Sequence, residues 1–316
     1  MTAWRAFCAW AGTMNSPCPN CHLEDPRGSK VVREGKFFRH STQSFVQKYR
    51  CKQCEARYSD AIFEDSYRQK KRFLNPIVSE LLAHLVSQRE VARMLKINYK
   101  TVVRKFHHQA WSAERDFHKR NLEKEKAQVV EFDDMETFEH TKHKPLSITI
   151  AIEAVTRRIL ALAVSPMPAR GRLAEAARSK YGKRLDLRQK TRRRLFENLP
   201  DLVAENAEFR SDKNPSYPSL IRRGFPQALH QQFAGRRGCV TGQGELKAGG
   251  FDPLFSINHT CAMFRANVNR LIRKTWCTTK SAERLREHLI LYANEHNKRL
   301  DETAARRAAL ARAKAG

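Results

Sequence analysis

Two cysteine knuckles constrain this chain more than any other feature: Cys18-Pro19-Asn20-Cys21 and Cys51-Lys52-Gln53-Cys54, with 29 residues between them. Two residues between thiols let both sulfurs of one knuckle reach the same tetrahedral ion. A second knuckle completes a four-sulfur shell with Zn–S near ~2.3 Å. Such a shell leaves no position open for a substrate, so the spacing predicts a structural zinc site. Between the knuckles, Val31-Val32 and Phe45-Val46 are β-prone pieces set among turn formers, which suits short strands. His22 and His40 are spare ligands that a complete cysteine set does not need. Cys8, Cys239, Cys261 and Cys277 have no partner at metal spacing. Paired knuckles point to reduced, metal-binding thiols and not to disulfides.

Charge narrows the class of partner. Lys plus Arg number 60 against 33 Asp plus Glu, a formal net charge of +27 over 316 residues, and such a field favours a polyanion. Nine of the basic residues lie between Arg27 and Arg57, so the knuckle domain is itself basic. Hydrophobic residues make up 41% of the chain, enough for a core. Wholesale disorder is therefore excluded, and the length suggests two or three folded units. No run approaches the ~18 to 20 apolar residues that span a bilayer, and the N-terminus lacks a signal-like apolar core. The expected location is the cytoplasm, with no membrane partner. Translation from Met14 is an alternative to Met1, and the segment before Met14 has no assigned role.

From Asn75 the pattern turns helical. Ile77, Leu81 and Leu85, with Val78, Leu82 and Val86 beside them, form one wide apolar face. Ser87 to Leu95, then Lys96-Ile97-Asn98, then Tyr99 to His107 have the layout of two short helices at a tight turn, with Ser87 and Asn98 as N-caps. Val91, Leu95, Val102, Val103 and Phe106 would face the preceding helix. Tyr99, Lys100, Thr101 and Arg104 would stand at the exposed start of the second helix, where major-groove readers place base contacts. A three-helix bundle that touches no DNA would show the same apolar spacing. Residues 111–127 are charged and apolar-poor and read as a solvated helix or linker.

The next unit opens with β-like alternation. Val130 and Phe132 lead into Asp133, Ile148, Ile150 and Ile152 follow, and a buried-looking run spans Ile159 to Val164, which together predict an antiparallel meander. Residues 172–199 are basic and helical, and Ala207 to Ser211 is a further strand-like piece ending at Asp212. Helical spacing returns through Phe264, Val268, Leu271 and Ile272, then through Leu285, Leu289, Tyr292 and His296. Asp133 and Asp212, at the ends of neighbouring strands, would bridge two Mg²⁺ ions suited to attack on a phosphodiester. Taken singly, each aspartate equally fits a cap or turn. Alternation sends Asp134 away from Asp133, toward solvent.

The run Asp133-Asp134-Met135-Glu136-Thr137-Phe138, with Lys142 after it, resembles the start of the catalytic domain in bacterial insertion-sequence transposases of the InsA–InsB type. Asp212-Lys213-Asn214-Pro215-Ser216-Tyr217 is similar to their second block, Asp-x-x-Pro-x-Tyr. Arg270 to Thr275, with Lys280-Ser281, resembles the basic helix after their third acid. That family also carries zinc knuckles and a helix-turn-helix upstream, so the resemblance runs from Cys18 to about Asn297. It implies an α/β fold: an RNase-H-like catalytic domain preceded by a zinc ribbon and a helical helix-turn-helix domain.

At the family's third acid, seven residues before Arg265, this chain has Asn258. Seven residues are nearly two helical turns, so Asn258 and Arg265 would share a face. An amide oxygen can ligate Mg²⁺ but brings no negative charge. Asp252, Glu245 and His259 compete for the role, and a dead site is the remaining alternative. Lys142 and Arg265 are assigned to the DNA backbone or scissile phosphate, with surface charge as the plain alternative.

Residues and resemblance together give a zinc ribbon at 14–65, a helix-turn-helix domain at 70–110, a linker or helix at 111–127, a catalytic domain at 128–300 and a frayed helix or basic tail at 301–316. It implies a bacterial, nucleoid-associated transposase that uses structural Zn²⁺ and catalytic Mg²⁺ or Mn²⁺. The enzyme would bind double-stranded DNA at element ends and target, act as a homo-oligomer on DNA, and perform strand cleavage and transfer. The competing function is a catalytically inactive DNA-binding regulator derived from such an enzyme.

Overall fold

The structure is a computed structural model that describes residues 18–21, 30–40, 42–234, 252–272 and 277–315. Glu245, Cys8, Cys239, His22 and Met14 lie outside the described residues, as do Arg273, Lys274 and Thr275. The chain divides into two compact units, one ending at Pro76 and the other beginning at Ile77.

The first unit is a three-stranded antiparallel sheet of β1 (Val31–Arg39), β2 (Ser44–Cys51) and β3 (Arg57–Ser59), in that order. A bulge interrupts the first ladder between Arg33 and Lys36. Gly35 takes φ +97° there, a backbone state that a side chain would strain. The core is small. Val31, Tyr49 and Tyr58 pack with Cys18 and Cys51, and the two tyrosine rings stack at 5.5 Å. So little buried apolar surface leaves a domain of this size in need of a metal or other staple.

The second unit starts with three helices, α1 (Asn75–Ala83), α2 (Gln88–Met94) and α3 (Tyr99–Leu122). The apolar pattern promised a longer first helix, but α1 stops at Ala83. Leu85 adopts a left-handed φ of +69° and gives its N–H to the Asn267 carbonyl at 2.8 Å. The two expected caps form: Ser87 Oγ accepts from Glu90 N–H at 3.2 Å, and Asn98 Oδ1 from Lys100 N–H at 2.8 Å. Residues 111–122, read as a solvated helix or linker, are helical but not wholly solvated. They continue α3, whose Ala110, Ala113, Phe117 and Asn121 are buried. Asn121 and Asn297 hydrogen-bond to each other at 3.1 Å and both donate to the Ile159 carbonyl. Those few inward residues decide the packing, because charge on the remaining faces is compatible with burial of one narrow stripe.

A five-stranded mixed sheet follows, in the order β6-β5-β4-β7-β8. Its strands are β4 (Ala127–Phe138), β5 (Pro145–Glu153), β6 (Ile159–Pro166), β7 (Val203–Asp212) and β8 (Leu229–Phe233). The first three form the expected antiparallel meander, whereas β7 and β8 run parallel to β4. Helices α4 (Leu173–Tyr181) and α5 (Arg188–Glu197) lead into β7, and α6 (Tyr217–Gly224) joins β7 to β8. The remaining helices are α7 (Phe255–Asn267) and α8 (Ala282–Ala315).

Both faces of the sheet are covered. Ile148, Ile150 and Ile152 of β5 face a core shared with α3, α7 and α8, through Phe117, Phe264 and Leu289. Phe132 of β4 faces the opposite core, against Phe196 of α5 and Tyr217 of α6, with ring centroids 5.1 and 4.7 Å away. This double cover explains why β5 is buried at nearly every position and does not alternate.

Two expectations change. Asp133 sits in the middle of β4 and not at its end. Val268 is extended, and Asn269–Leu271 form a single tight turn instead of a helix. The stretch after Leu300, read as a frayed helix or basic tail, takes the helical form and continues α8. Its Asp301 is held there by Arg120 and Lys124, each at 3.0 Å, and by Arg158.

Candidate functional site

Cys51 ends β2, and Cys54 lies three residues on, across a turn closed by Cys51 N–H donating to the Ala56 carbonyl at 3.0 Å. This turn brings the second knuckle onto the first. The sulfurs of Cys18 and Cys54 are 3.5 Å apart, while Cys21 lies 3.6 Å from both Cys51 and Cys54. All four ligand atoms fall within 4.8 Å of one another. Sulfurs at ~2.3 Å from a tetrahedral Zn²⁺ would be separated by about 3.8 Å, so the cluster is close to ligating size. The Ala56 backbone N–H brings the Cys54 thiol down to about 6, against the opposing effect of burial. That favours the thiolate form that binds metal. The four cysteines together can hold a metal such as zinc.

The aspartates meet through strand register. β4 and β7 pair Val130 with Phe209 and Glu131 with Arg210. Two residues further along both strands stand Asp133 and Asp212. With neighbouring parallel strands ~4.8 Å apart, they project from the same face. The electrostatics agree: burial, followed by the charges of Asp212 and Asp134, pushes the Asp133 carboxyl up to about 6. The Asp134 N–H, which donates to Asp133 Oδ1 at 2.7 Å, and the charge of Arg265 act in the opposite direction.

Helix α7 crosses this face. Its N-terminus is fixed by Glu131, whose buried carboxylate accepts the Ile257 N–H at 2.8 Å. Cys261 and Arg265, one turn apart on α7, both lie within electrostatic reach of Asp133. Burial and then the Asp133 charge push the Cys261 thiol up to about 12, so it stays neutral. Asn258 stands one turn before Cys261 on the same stripe. It is exposed, and its Nδ2 donates to Asp252 Oδ2 at 2.8 Å. Asp252 itself accepts the Leu254 N–H at 3.0 Å and so caps the approach to α7. His259 turns toward Arg157, whose guanidinium lies 3.2 Å from its Nδ1. Among the described residues only the four cysteines form a cluster of three or more acidic, His or Cys ligands. The aspartates are a pair.

Asp134 departs from the solvated role that alternation suggested, because the far face of the sheet is covered too. Its carboxylate pairs with Arg192 of α5 and accepts the Thr149 hydroxyl at 2.5 Å. Glu136 is exposed and 3.9 Å from Arg170. Lys142 is exposed in the β4–β5 turn. The five residue steps along the strand from Asp133 to Phe138 alone span about 17 Å, so the structure does not bring Lys142 to the carboxylates. At the start of α3, Tyr99, Lys100 and Arg104 are exposed and Thr101 is half-buried.

Sequence reading overlooked Glu131 and Arg192. Glu131 had a signal, since an acid two residues before Asp133 in a strand shares its face. Arg192 had none, because its partner is fixed only by the packing of α5. No known protein-family model matches the chain, and comparison with curated proteins gives no match either.

Proposed function

We propose that this protein is a DNA transposase in which a zinc ribbon and a helix-turn-helix bind DNA and an RNase-H-like domain cleaves and joins strands. The observation that carries the reading is the meeting of Asp133 and Asp212 on adjacent parallel strands, beneath a helix that sets Arg265 within reach. The mixed sheet, three antiparallel strands followed by two parallel to the first, is compatible with the α/β catalytic domain of this reading. The cysteine cluster and the capped pair α2 and α3 agree with the two DNA-binding modules.

Two hard carboxylates on one face, with repelling charges, are a fitting donor set for Mg²⁺ or Mn²⁺. When bound there, such ions supply Lewis-acid activation of water and of the phosphodiester. Asp133 and Asp212 would hold them, and Asn258 would add a neutral oxygen to the set. Arg265 would face the scissile phosphate. Tyr99, Lys100, Thr101 and Arg104 would read base edges, while the excess of Lys and Arg supplies salt-sensitive affinity. The element ends would be supplied by inverted repeats flanking the coding region.

One observation favours the regulator reading: Asn258 already spends its amide N–H on Asp252, and among the described residues no third acid joins the pair. Both readings face the same experiment, Mg²⁺- or Mn²⁺-dependent cleavage and strand transfer on DNA carrying those repeats. Asp133→Asn and Asp212→Asn should each lower cleavage by at least about 10³-fold, equivalent to ~4 kcal/mol of barrier, with DNA binding intact. Asn258→Ala should also lose cleavage and Asn258→Asp should keep it. Specific binding by the wild type without any cleavage would establish the regulator instead.

A further inference from the structure

The two aspartates are joined by a second route besides the sheet. The β4/β7 ladder ends at Glu131 and Arg210, two residues short of them. Asp212 is secured on its outer side by pairing with Phe233 of β8 and by Gln232 Nε2, which donates to its carbonyl at 3.0 Å. On its inner side a chain of side chains takes over from the ladder.

That chain starts at Asp133, whose Oδ1 accepts the N–H of Asp134 at 2.7 Å. Asp134 turns to the opposite face of the sheet and there binds the Arg192 guanidinium. The second terminal nitrogen of Arg192 donates to Ser216 Oγ at 2.9 Å. Ser216 donates from its hydroxyl and its N–H to Asn214 Oδ1, at 2.9 and 3.1 Å. Asn214 N–H then donates to Asp212 Oδ1 at 3.1 Å. The circuit closes on the second aspartate. Arg192 is its only member from outside β4 and the β7–α6 loop. Its side chain is 7% exposed and lies over the Tyr217 ring at 5.2 Å.

We infer that Arg192 is a positioning residue: by bridging Asp134 and Ser216 it ties the loop carrying Asp212 to the strand carrying Asp133, and so sets the spacing of the two carboxylates as ligands for divalent cations. This rests on the metal reading proposed above. The planar fork is what the role requires, because one guanidinium reaches two partners at fixed angles. A lysine ammonium would keep the charge beside Asp134 but would not hold both ends in one geometry. Groups that orient metal ligands without touching the metal typically change its affinity by about 10- to 100-fold when removed.

The test is Mn²⁺ titration of the full chain, followed by the loss of free-ion spin resonance, for the wild type, Arg192→Lys and Ser216→Ala. Thermal unfolding and DNA affinity are measured on the same samples. Arg192→Lys should weaken Mn²⁺ binding about 10- to 100-fold while melting and DNA affinity stay at wild-type values. Ser216→Ala leaves the Arg192–Asp134 pair in place and should weaken Mn²⁺ binding in the same direction. The double variant should add little to Arg192→Lys, since the circuit is already open. If Arg192→Lys does not fold, Ser216→Ala decides alone. Wild-type Mn²⁺ affinity in a folded variant would overturn the positioning role, as would weakening that only tracks lost stability. A wild type that binds no more Mn²⁺ than Asp133→Asn would instead overturn the metal reading and the strut with it.

Discussion

The cysteine cluster and the aspartate pair are opposite solutions to placing ligands. The cysteines come from a span of 37 residues, from Cys18 to Cys54, and are gathered by one strand end and one turn. They form a complete set of four soft ligands with no side open. The aspartates are separated by four secondary-structure elements and meet only because β4 and β7 are parallel and in register. Among the described residues they are a pair of hard oxygen donors, with an exposed amide and an arginine on the helix that crosses their face. A closed set is what a small domain needs as a staple, and an open one leaves room for something to bind.

The largest expected effect would break the comparison on the cysteine side. Purified protein should carry one tightly held zinc per chain, and Cys51→Ser should release it and unfold the first unit, since metal affinity in such domains, about 10 to 16 kcal/mol, is folding energy. The second unit should keep its own melting transition. Metal analysis that finds no zinc in protein with an intact first unit would remove the contrast altogether.

Stability against pH tests the other side. The carboxyl of Asp133 lies above its ordinary value of 3.8, at about 6, so the folded chain binds that proton more tightly than the unfolded one. Its stabilising contribution is complete below pH ~4 and is lost as pH rises through about 6. Asp133→Asn removes the penalty and should gain on the order of 2 to 3 kcal/mol over the wild type at pH 8. The advantage should vanish at pH 4. Urea unfolding at the two pH values measures it, and equal differences at both would show that Asp133 carries no such strain. A carboxylate kept at a cost to stability is common where function requires the charge.

The smallest effect sharpens the division between reading DNA and merely holding it. Arg104→Ala should reduce the preference for element-end DNA over random DNA by about 1 to 3 kcal/mol. Competition binding at fixed salt reads this directly. Equal weakening on both DNAs would make Arg104 a phosphate contact.

What was legible in the chain follows the same division. The knuckles, the Ser87 and Asn98 caps, the β4 to β6 meander and Asp212 at its strand end all depend on neighbours within a few residues. The position of Asp133 in mid-strand did not show, because β4 runs past the end of β7 and only the pairing reveals where that end falls. Asp134 was misplaced because alternation gives a side chain's face but not what covers that face. The C-terminal half of α3 stayed open between a solvated helix and a linker because three small or aromatic residues and one asparagine carry its burial amid charge. Asn258 was placed on the face of Arg265 from spacing alone, but its bond to Asp252 depends on how the chain enters α7.

The continuity of α3 has a geometrical consequence. One helix of 24 residues, about 36 Å long, presents Tyr99, Lys100 and Arg104 at one end and buries Phe117 and Asn121 against the sheet domain at the other. No joint lies between them, so the direction in which the exposed end points is phased to the core at about 100° per residue. Inserting a single alanine between Trp111 and Glu114 would leave both ends chemically intact but turn one against the other by more than a quarter of a revolution. The helix is therefore a shaft whose residue count, as much as its composition, is under constraint.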